Sequence, residues 1–392
     1  MRPLRAAFLQ ANRAAYAGLA RPIIFRASAQ KAHDRMIRLL RWSDGQRWLQ
    51  PLWGAAHRLA FPAEPVTVGG ADLAGPLILA AGLVKGDGFD GEEAALAAVA
   101  AGRNIMPGWR SIPRLVGPVE FGSFTRWPRP GNSGVVLWRD AATRSTQNRV
   151  GLRNPGAAAA AAFLAAHRDD LPPRFGINVA ISPGVEDLDQ QTEEILAALA
   201  AFVTRGVWPT WFTLNLSCPN TEDDPQGHQT ADQARRLCGA VVGYLETAAR
   251  TVGRAIPLWV KVGPSLGADQ YRGLMGVLAE VGARAVVATN TLPRPAPDGG
   301  TVMAGVGGGQ LHRQAVAAAA VLMDVRKARG HPVDVVGCGG VLDGETYRDF
   351  LKLGVRAVQY WTALVYRGPL AAALIRAERP AASRRGRRRR DP

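Results

Sequence analysis

The sequence predicts a (β/α)8 barrel preceded by a helical extension, and the order of its apolar segments carries this prediction. From about residue 65 onward, eight short apolar runs alternate with alanine-rich segments of helical composition. Strands that alternate with helices form parallel sheets, and eight such units close into a barrel. A doubly wound open sheet is the alternative. No G-x-G-x-x-G motif follows the first apolar run, and this absence favours the barrel.

Individual elements follow from periodicity and from the glycines and prolines between them. The predicted strands are 77–80, 119–121, 175–179, 211–216, 258–262, 285–288, 333–337 and 357–360. Predicted helices between them include 92–101, 157–167, 193–203, 232–251 and 314–329. The chain therefore divides into an extension, 1–62, a barrel, 63–379, and a tail, 380–392.

Residues 1–62 are predicted to form amphipathic helices. Apolar residues recur at helical spacing from Leu4 to Leu19 and again in 29–40, with arginines around them. Trp42, Trp48 and Trp53 follow within a short stretch. Basic amphipathic helices with tryptophans suit a lipid interface. A helical subdomain packed on the barrel, with its arginines solvated, explains the same pattern, and both interpretations stay open.

The net charge of +16 is concentrated at the two ends of the chain. Residues 1–60 hold eleven Arg and Lys against two Asp, and residues 381–392 hold six Arg against one Asp. A nucleic-acid binder places its charge on the folded binding face, so no nucleic-acid partner is expected. The arginine-rich tail lacks large apolar residues and is predicted to be disordered.

Cysteine usage and hydropathy limit the possible classes of protein further. Cys218, Cys238 and Cys338 are too few for a disulfide framework, and their spacings do not match a metal site. No run of eighteen apolar residues predicts a membrane-spanning helix, and no secretory signal is expected. A reducing cytoplasm fits this composition.

Polar residues recur where the predicted strands end, which is the edge where such barrels place their chemistry. In strand order the residues at or next to these ends, most of them polar, are Ala81, Gly82 and Lys85, then Ser123, Asn178, Asn215, Ser217, Cys218, Asn220, Lys261, Thr289, Asn290, Thr291, Cys338, Gly339, Gly340, Trp361 and Thr362. Lys261 lies within Leu-Trp-Val-Lys-Val, and burying such a lysine is costly without an anionic partner. We therefore expect one polar site that binds an anionic ligand.

Two glycine-rich segments predict a phosphate site. Residues 305–309 precede a helix expected to begin near His312, and Gly339 and Gly340 follow the seventh strand. Backbone amides at glycine turns and helix N-termini bind phosphate, and barrels often place this site after strands seven and eight.

With these residues in place, the sequence resembles the dihydroorotate dehydrogenase family over about residues 21–369. The matching segments are 80–83 with Lys85, 120–123, 130–132, 148–151, 176–178, 215–221, 260–262, 288–291, 336–340 and 367–369. The blocks 215–221 (Asn-Leu-Ser-Cys-Pro-Asn-Thr) and 288–291 (Ala-Thr-Asn-Thr) are specific in combination. The basic segment 21–33 resembles the extension of the membrane-associated, quinone-reducing branch, which implies a peripheral location on the cytoplasmic side of the cell membrane.

The resemblance implies bound FMN and assigns roles to individual residues. FMN contacts are implied for Ala81, Gly82, Lys85, Ser123, Asn178, Asn215, Lys261, Thr289, Gly308, Gly339, Gly340, Trp361 and Thr362. Substrate contacts are implied for Lys85, Asn148, Arg149, Val150, Gly151, Leu152, Asn215, Asn220, Asn290 and Thr291. Cys218 is implied as the general base, with Lys85 and Lys261 completing the catalytic set.

The implied reaction is the oxidation of dihydroorotate to orotate in pyrimidine biosynthesis. Cys218 removes the C5 proton, hydride passes from C6 to FMN, and a quinone that arrives past the N-terminal helices reoxidises the flavin. Asparagine amides offer the donor and acceptor that an imide edge requires. A lysine at the flavin edge stabilises the anionic reduced flavin.

Several residues depart from the family pattern. Cys218 stands where the quinone branch has serine, the lid after Asn220 lacks Gly-Leu-Arg, and residues 103–118 look like an insertion. Arg153 and Trp361 replace an expected asparagine and an expected tyrosine. Two alternatives therefore stay open: a divergent flavin oxidoreductase that acts on another small ring, and a catalytically silent FMN-binding, membrane-associated module.

Overall fold

The computed structural model describes residues 2–216, 231–299 and 302–378 of the 392-residue chain. In these residues the helices are α1 (Arg2–Ala15), α2 (Arg21–Phe25), α3 (Ala29–Gly45), α4 (Leu49–Ala60), α5 (Glu92–Ala100), α6 (Ser111–Val116), α7 (Gly156–Ala166), α8 (Leu188–Val203), α9 (Ala231–Val252), α10 (Ala268–Glu280), α11 (Gly309–Arg329), α12 (Gly344–Leu353), α13 (Thr362–Arg367) and α14 (Ala371–Ala377). A π-helical turn, Tyr16–Ala20, joins α1 to α2, and a 3-10 turn spans Arg168–Asp170.

The strands in the same residues are β1 (Val66–Val68), β2 (Ala71–Leu73), β3 (Leu77–Leu79), β4 (Glu120–Phe124), β5 (Leu137–Asp140), β6 (Ser145–Asn148), β7 (Gly176–Ala180), β8 (Trp211–Asn215), β9 (Leu258–Val262), β10 (Ala285–Ala288), β11 (Leu292–Pro295), β12 (Met303–Gly308), β13 (Asp334–Cys338) and β14 (Ala357–Tyr360).

Eight of these strands form the parallel barrel that the sequence predicts. Around the sheet the order is β3-β14-β13-β10-β9-β8-β7-β4, and a parallel bridge between Leu79 and Val119 joins the two ends. This order follows the chain around the circle, as successive β-α units require. The predicted fold class is confirmed, and the predicted strand bounds agree to within three residues.

The strands of the barrel are buried on both faces. In β9, Leu258, Val260 and Val262 belong to the main hydrophobic core, while Trp259 and Lys261 alternate with them and face the interior. This double burial explains why the strands read as almost continuous apolar runs.

The N-terminal end of the barrel is filled with apolar side chains and covered by the β1–β2 hairpin. Trp211 and Trp259 stack there with ring centroids 4.6 Å apart, and the Trp259 indole donates to the Gly69 carbonyl at 2.9 Å. A Cβ at Gly176 would lie 2.2 Å from the Trp211 ring, so only glycine leaves room for that side chain. The packed floor leaves the opposite end of the barrel for a ligand.

A four-stranded antiparallel sheet, ordered β11-β12-β6-β5, is formed by segments that follow barrel strands β4 and β10. The sequence prediction was wrong for 305–309: residues 305–308 are the end of strand β12, and α11 begins at Gly309 rather than near His312. The reason is pairing, since β12 aligns with β6 on one side and β11 on the other. Two partners stabilise a glycine-rich strand that propensity disfavours.

The helical extension packs on the barrel. The Tyr16 hydroxyl donates to the Val365 carbonyl at 2.9 Å, which ties the α1–α2 junction to α13. The Asp44 carboxylate, at the end of α3, accepts from the amides of Gly108 (2.6 Å) and Ser111 (3.0 Å). Burial raises the pKa of Asp44, and these hydrogen bonds oppose that shift. Segment 103–118 is therefore docked against the extension.

The outer face of the extension nevertheless exposes large apolar side chains. They are Leu4, Leu19, Ile23, Met36, Leu39, Trp42, Trp48 and Leu52. The structure thus combines features of both interpretations that composition left open: a packed helical subdomain and an apolar outer face. Among the described helices, none has the length and hydropathy needed to cross a membrane.

Candidate active site

One cavity of about 600 Å³ extends from the C-terminal end of the barrel to the helical extension. Its barrel side is lined by strand ends and the loops that follow them. Its other side is lined by residues of α3 and α4 and by parts of α6 and α13. Ligand sites of barrels lie at this end of the strands, and the cavity has a volume typical of small-molecule sites.

Most of the residues singled out from the sequence meet at this cavity. Its lining includes Ala81, Gly82, Lys85, Ser123, Asn148, Val150, Gly151, Leu152, Asn215, Lys261, Thr289, Asn290, Thr291, Gly308, Gly339, Gly340, Trp361 and Thr362. Residues widely separated in the chain converge because parallel strands deliver all their carboxyl ends to one edge.

Two of the singled-out residues are placed differently. Asn178 is fully buried inside the barrel and donates to Glu120 at 2.9 Å. The Arg149 side chain instead donates to the Val135 carbonyl at 3.3 Å and lies 3.8 Å from Asp298. Ser217, Cys218 and Asn220 lie outside the described residues, so what the sequence predicts for them remains a prediction.

Glycines form a backbone cradle on one wall of the cavity. Gly308 and Gly340 have φ of +95° and +65°, and a Cβ at Gly340 would lie 2.6 Å from the Gly308 carbonyl oxygen. Hydroxyls of Thr362 and Thr146, 2.9 Å apart, lie beside it, and His312 contacts the Gly339 carbonyl at 3.1 Å. Two hydroxyls and closely approaching glycine backbone are groups that bind phosphate.

Amide side chains form the polar part of the cavity. Asn290 donates to the Asn215 side-chain oxygen at 3.2 Å, and Asn148 donates to the Gly305 carbonyl at 3.5 Å. Lys261 donates to the side-chain oxygen of Gln359 at 3.0 Å and is only 6 % exposed. The amides supply both donors and acceptors to a flat polar ligand, and the ammonium supplies a positive charge.

His33 marks a positive field at this end of the cavity. Its pKa is lowered to about 4, chiefly by burial and then by the positive charge of Lys85, with a smaller effect of Arg153. The imidazole is therefore neutral at physiological pH, with one nitrogen that donates and one that accepts. An anionic ligand is attracted to the same field.

Beyond His33 the lining becomes apolar. This arm of the cavity comprises Met36, Leu39, Leu40, Leu49, Trp53, Ile112, Leu115, Leu364 and Val365. We define it as the apolar arm, and the strand-end part as the polar end. The two parts belong to one continuous cavity.

The sequence assigned no individual role to His33, Gln359 or the residues of the apolar arm. His33 could have been noted as a histidine on a basic amphipathic helix. Leu364 and Val365 gave no such signal, because a short apolar run in α13 is indistinguishable from core until the extension is placed against it.

Comparisons with known proteins agree with this architecture. The family model described as dihydroorotate dehydrogenase matches residues 65–381. The chain is 31% identical over 360 residues to a dihydroorotate dehydrogenase (quinone) of Gloeobacter violaceus, with 90% of each chain covered. It is 29% identical to the protein of the same name from Methylococcus capsulatus, covering 92% of this chain and 97% of the relative.

The fold has a solved counterpart. The crystal structure of DHODH from Eimeria tenella in complex with ferulenol superposes with a TM-score of 0.65 at 22% identity. The superposition covers 89% of this chain and 90% of the Eimeria tenella chain, which supports the architecture of a barrel with a helical extension. The family match over most of the chain, together with the barrel and its strand-end cavity, shows that this protein belongs to the dihydroorotate dehydrogenase family.

Proposed function

We propose that this protein oxidises dihydroorotate to orotate, with FMN as cofactor and a quinone as electron acceptor. The observation that carries the proposal is the single cavity with a cationic polar end and an apolar arm. A small anionic ring needs a polar, cationic site, and an apolar electron acceptor needs an apolar one. Both molecules must reach the same flavin. The relatives named dihydroorotate dehydrogenase (quinone), which this chain matches along nine-tenths of its length, support the same assignment.

The cavity fits FMN. Only glycine fits at Gly308 and Gly340, because a Cβ would lie 2.5 Å from the Arg144 carbonyl oxygen at the first position and 2.6 Å from the Gly308 carbonyl oxygen at the second. These two glycines therefore bring bare backbone to the wall of the cavity, beside the Thr362 hydroxyl, and such a donor set suits a phosphate. We assign the phosphate to this cradle together with Gly339 and Thr362, and the ring to the surface that Lys261 lines. FMN, when bound, supplies the centre that takes hydride from the substrate and passes electrons to the acceptor.

The polar end is proposed to hold the substrate ring. Lys85 attracts the substrate carboxylate, and the amides of Asn148, Asn215 and Asn290 orient the imide edge. Cys218 follows Asn215, the last residue of β8, by three positions in the sequence, and we propose it as the general base. A thiolate there accepts the C5 proton, since the thiolate is the basic form of cysteine.

The apolar arm is proposed to hold the quinone. His33 stands where the polar end meets the arm, and its neutral ring offers a donor and an acceptor to a quinone carbonyl or hydroxyl without adding charge. Met36 and Leu39 of the arm are also among the exposed apolar side chains of the extension, so the arm opens towards the surface and offers apolar contacts to the isoprenoid-like tail of a membrane quinone.

The extension is proposed to attach the enzyme to the cytoplasmic side of the cell membrane as a peripheral protein. In the described part of the chain, Trp127 and Val135 are the only comparably exposed large apolar residues outside it. Eleven Arg and Lys among residues 1–60 add attraction to anionic lipids. The apolar arm is lined by the same helices, so a quinone passes from lipid to flavin through the extension.

Anaerobic spectroscopy tests the proposal. Purified protein is expected to carry a flavin that chromatography identifies as FMN, to bleach when dihydroorotate is added, and to regain its colour with a quinone analogue. Orotate should appear in the amount of flavin reduced. Bleaching by another ring compound but not by dihydroorotate would favour the divergent oxidoreductase, and a protein that binds FMN but never bleaches would favour the silent module.

A further inference from the structure

A fully buried carboxylate lies inside the barrel, next to the floor of the cavity. Glu120, at the start of β4, is 0 % exposed. One of its oxygens accepts from Asn178 at 2.9 Å, and the other accepts from Trp211 (3.0 Å), Thr213 (2.6 Å) and Gln359 (3.1 Å). An indole N–H, a hydroxyl and two amides thus converge on it as donors. This donor set matches an ionised carboxylate, which only accepts.

Gln359 connects this carboxylate to Lys261. The amide nitrogen of Gln359 donates to Glu120, so its oxygen faces the other way and accepts from the Lys261 ammonium at 3.0 Å. Turning the amide over would set donor against donor at Lys261 and acceptor against acceptor at Glu120. The negative charge of Glu120 therefore fixes the direction in which Gln359 presents its oxygen.

Lys261 has hydrogen-bonding capacity left for a ligand. An ammonium has three N–H groups, of which one goes to Gln359 and another interacts with the Cys338 thiol. Burial raises the pKa of Cys338, Lys261 lowers it, and Glu120 raises it, so both charges act at this point of the site. The remaining N–H is available to the cavity that Lys261 lines.

We propose that Glu120 is a positioning residue that, through Gln359, holds the Lys261 ammonium towards the flavin and offsets part of its positive charge. Glu120 itself touches neither substrate nor the cavity. The inference rests on the proposed FMN site and deepens it. A cation near the flavin stabilises the anionic reduced form, and a buried counter-charge moderates that effect. Glu120 thereby sets the reduction potential of the bound flavin.

The test is the midpoint potential of bound FMN in Glu120→Gln, a variant of the same shape without the charge. Removing the anion leaves Lys261 less compensated, so we expect the two-electron equilibrium to shift about tenfold towards reduced flavin, or about +30 mV. Thr213→Val is the matched control, because it removes one hydrogen bond to the same carboxylate but keeps the charge and the Gln359 link. In this control, the equilibrium constant between oxidised and reduced FMN should stay within about threefold of the wild-type value.

A second variant tests the link itself. Gln359→Met keeps both charges but removes the connection between them, so the ammonium loses its fixed direction and the dissociation constant of FMN should rise about tenfold. The inference is overturned if Glu120→Gln shifts the potential no more than Thr213→Val does. It is also overturned if Gln359→Met binds FMN as tightly as wild type. A wild-type protein without affinity for FMN would contradict the proposed function instead, so the two failures are distinguishable.

Discussion

At the scale of single residues, Lys261 is the main charged group of the proposed FMN site. Its ammonium is nearly buried and held by Gln359, so it is placed to bind rather than to remain solvated. We predict that Lys261→Ala raises the dissociation constant of FMN roughly 10–150-fold, the loss expected for a charged hydrogen bond of about 1.5–3 kcal/mol. Fluorescence titration of the flavin measures it. Lys352→Ala, which removes an exposed lysine paired with Asp349, is the control and should bind FMN normally.

His33 gives a prediction about pH and stability. Its pKa in the folded protein is about 4, below the value of about 6.5 in an unfolded chain, so the unfolded state binds more protons between these values. The free energy of unfolding therefore falls as the pH falls through this window, by about 2 kcal/mol between pH 7 and pH 5 from this group alone. Urea denaturation of wild type and His33→Asn at both pH values measures the difference.

The asparagine variant has no group that titrates there, so its loss of stability between pH 7 and pH 5 should be smaller than that of wild type. Equal losses in the two proteins would show that His33 is not held neutral.

Cys218 gives a prediction about catalysis. A thiol titrates near 8.5, and its thiolate is the base that the proposed proton transfer needs. Cys218→Ala should slow flavin reduction by dihydroorotate about 10²–10⁴-fold, the usual cost of losing a general base. Cys218→Ser should also be slower than wild type and should reach its best rate at higher pH. An alanine variant within a few-fold of wild type in anaerobic stopped-flow would remove Cys218 from this role.

The residues at strand ends could be predicted from the sequence. Side-chain contacts that connect different strands could not. Lys85, Lys261 and Thr362 could be predicted because the fold forces strand ends together. The Glu120–Gln359–Lys261 connection could not, since it depends on which barrel side chains share one layer. Arg149 shows the converse: its neighbours line the cavity, yet its own guanidinium contacts Val135 and approaches Asp298.

At the scale of elements, the extension carries the prediction of membrane binding. Trp42 on α3 and Trp48 in the turn before α4 are more than half exposed, and both helices also line the apolar arm. Replacing both with serine should weaken binding to vesicles by roughly tenfold or more, because each indole loses its apolar burial in the interface. Trp127→Ser is the matched control, since Trp127 is also exposed but lies outside the extension. The measurement is vesicle co-sedimentation. If Trp127→Ser binds vesicles as weakly as the double variant does, the assignment of membrane binding to the extension is contradicted.

Elements were predicted well where local pattern and tertiary pairing agree. The strands β9, β10 and β14 match their predicted bounds because apolar runs of that length fit a sheet buried on both faces. Strand β12 was missed because its glycines have low strand propensity, and only pairing with β6 and β11 makes it a strand. The docking of 103–118 was missed for a similar reason, since Asp44 contacts it across more than sixty residues of sequence.

At the scale of the whole molecule, two half-reactions are assigned to two parts of one cavity. The strand ends of the barrel form the polar end, which is proposed for the substrate, and helices of the extension together with α6 and α13 form the apolar arm, which is proposed for the acceptor. Neither part is sufficient alone, because the flavin must exchange electrons with both. This division predicts that a change in the apolar arm affects only one of the two half-reactions.

The measurement that tests this most directly is double-mixing stopped-flow on wild type and Ala32→Phe. Ala32 lines the cavity on α3, one helical turn before Met36 of the apolar arm, so a phenyl ring there should obstruct the route of the acceptor. We predict that dihydroorotate bleaches the flavin at the same rate in both proteins. Reoxidation by a quinone analogue should be at least about tenfold slower in the variant, as expected for lost access worth about 1.4 kcal/mol or more. Equal reoxidation rates, or a wild-type flavin that dihydroorotate does not reduce, would contradict the account.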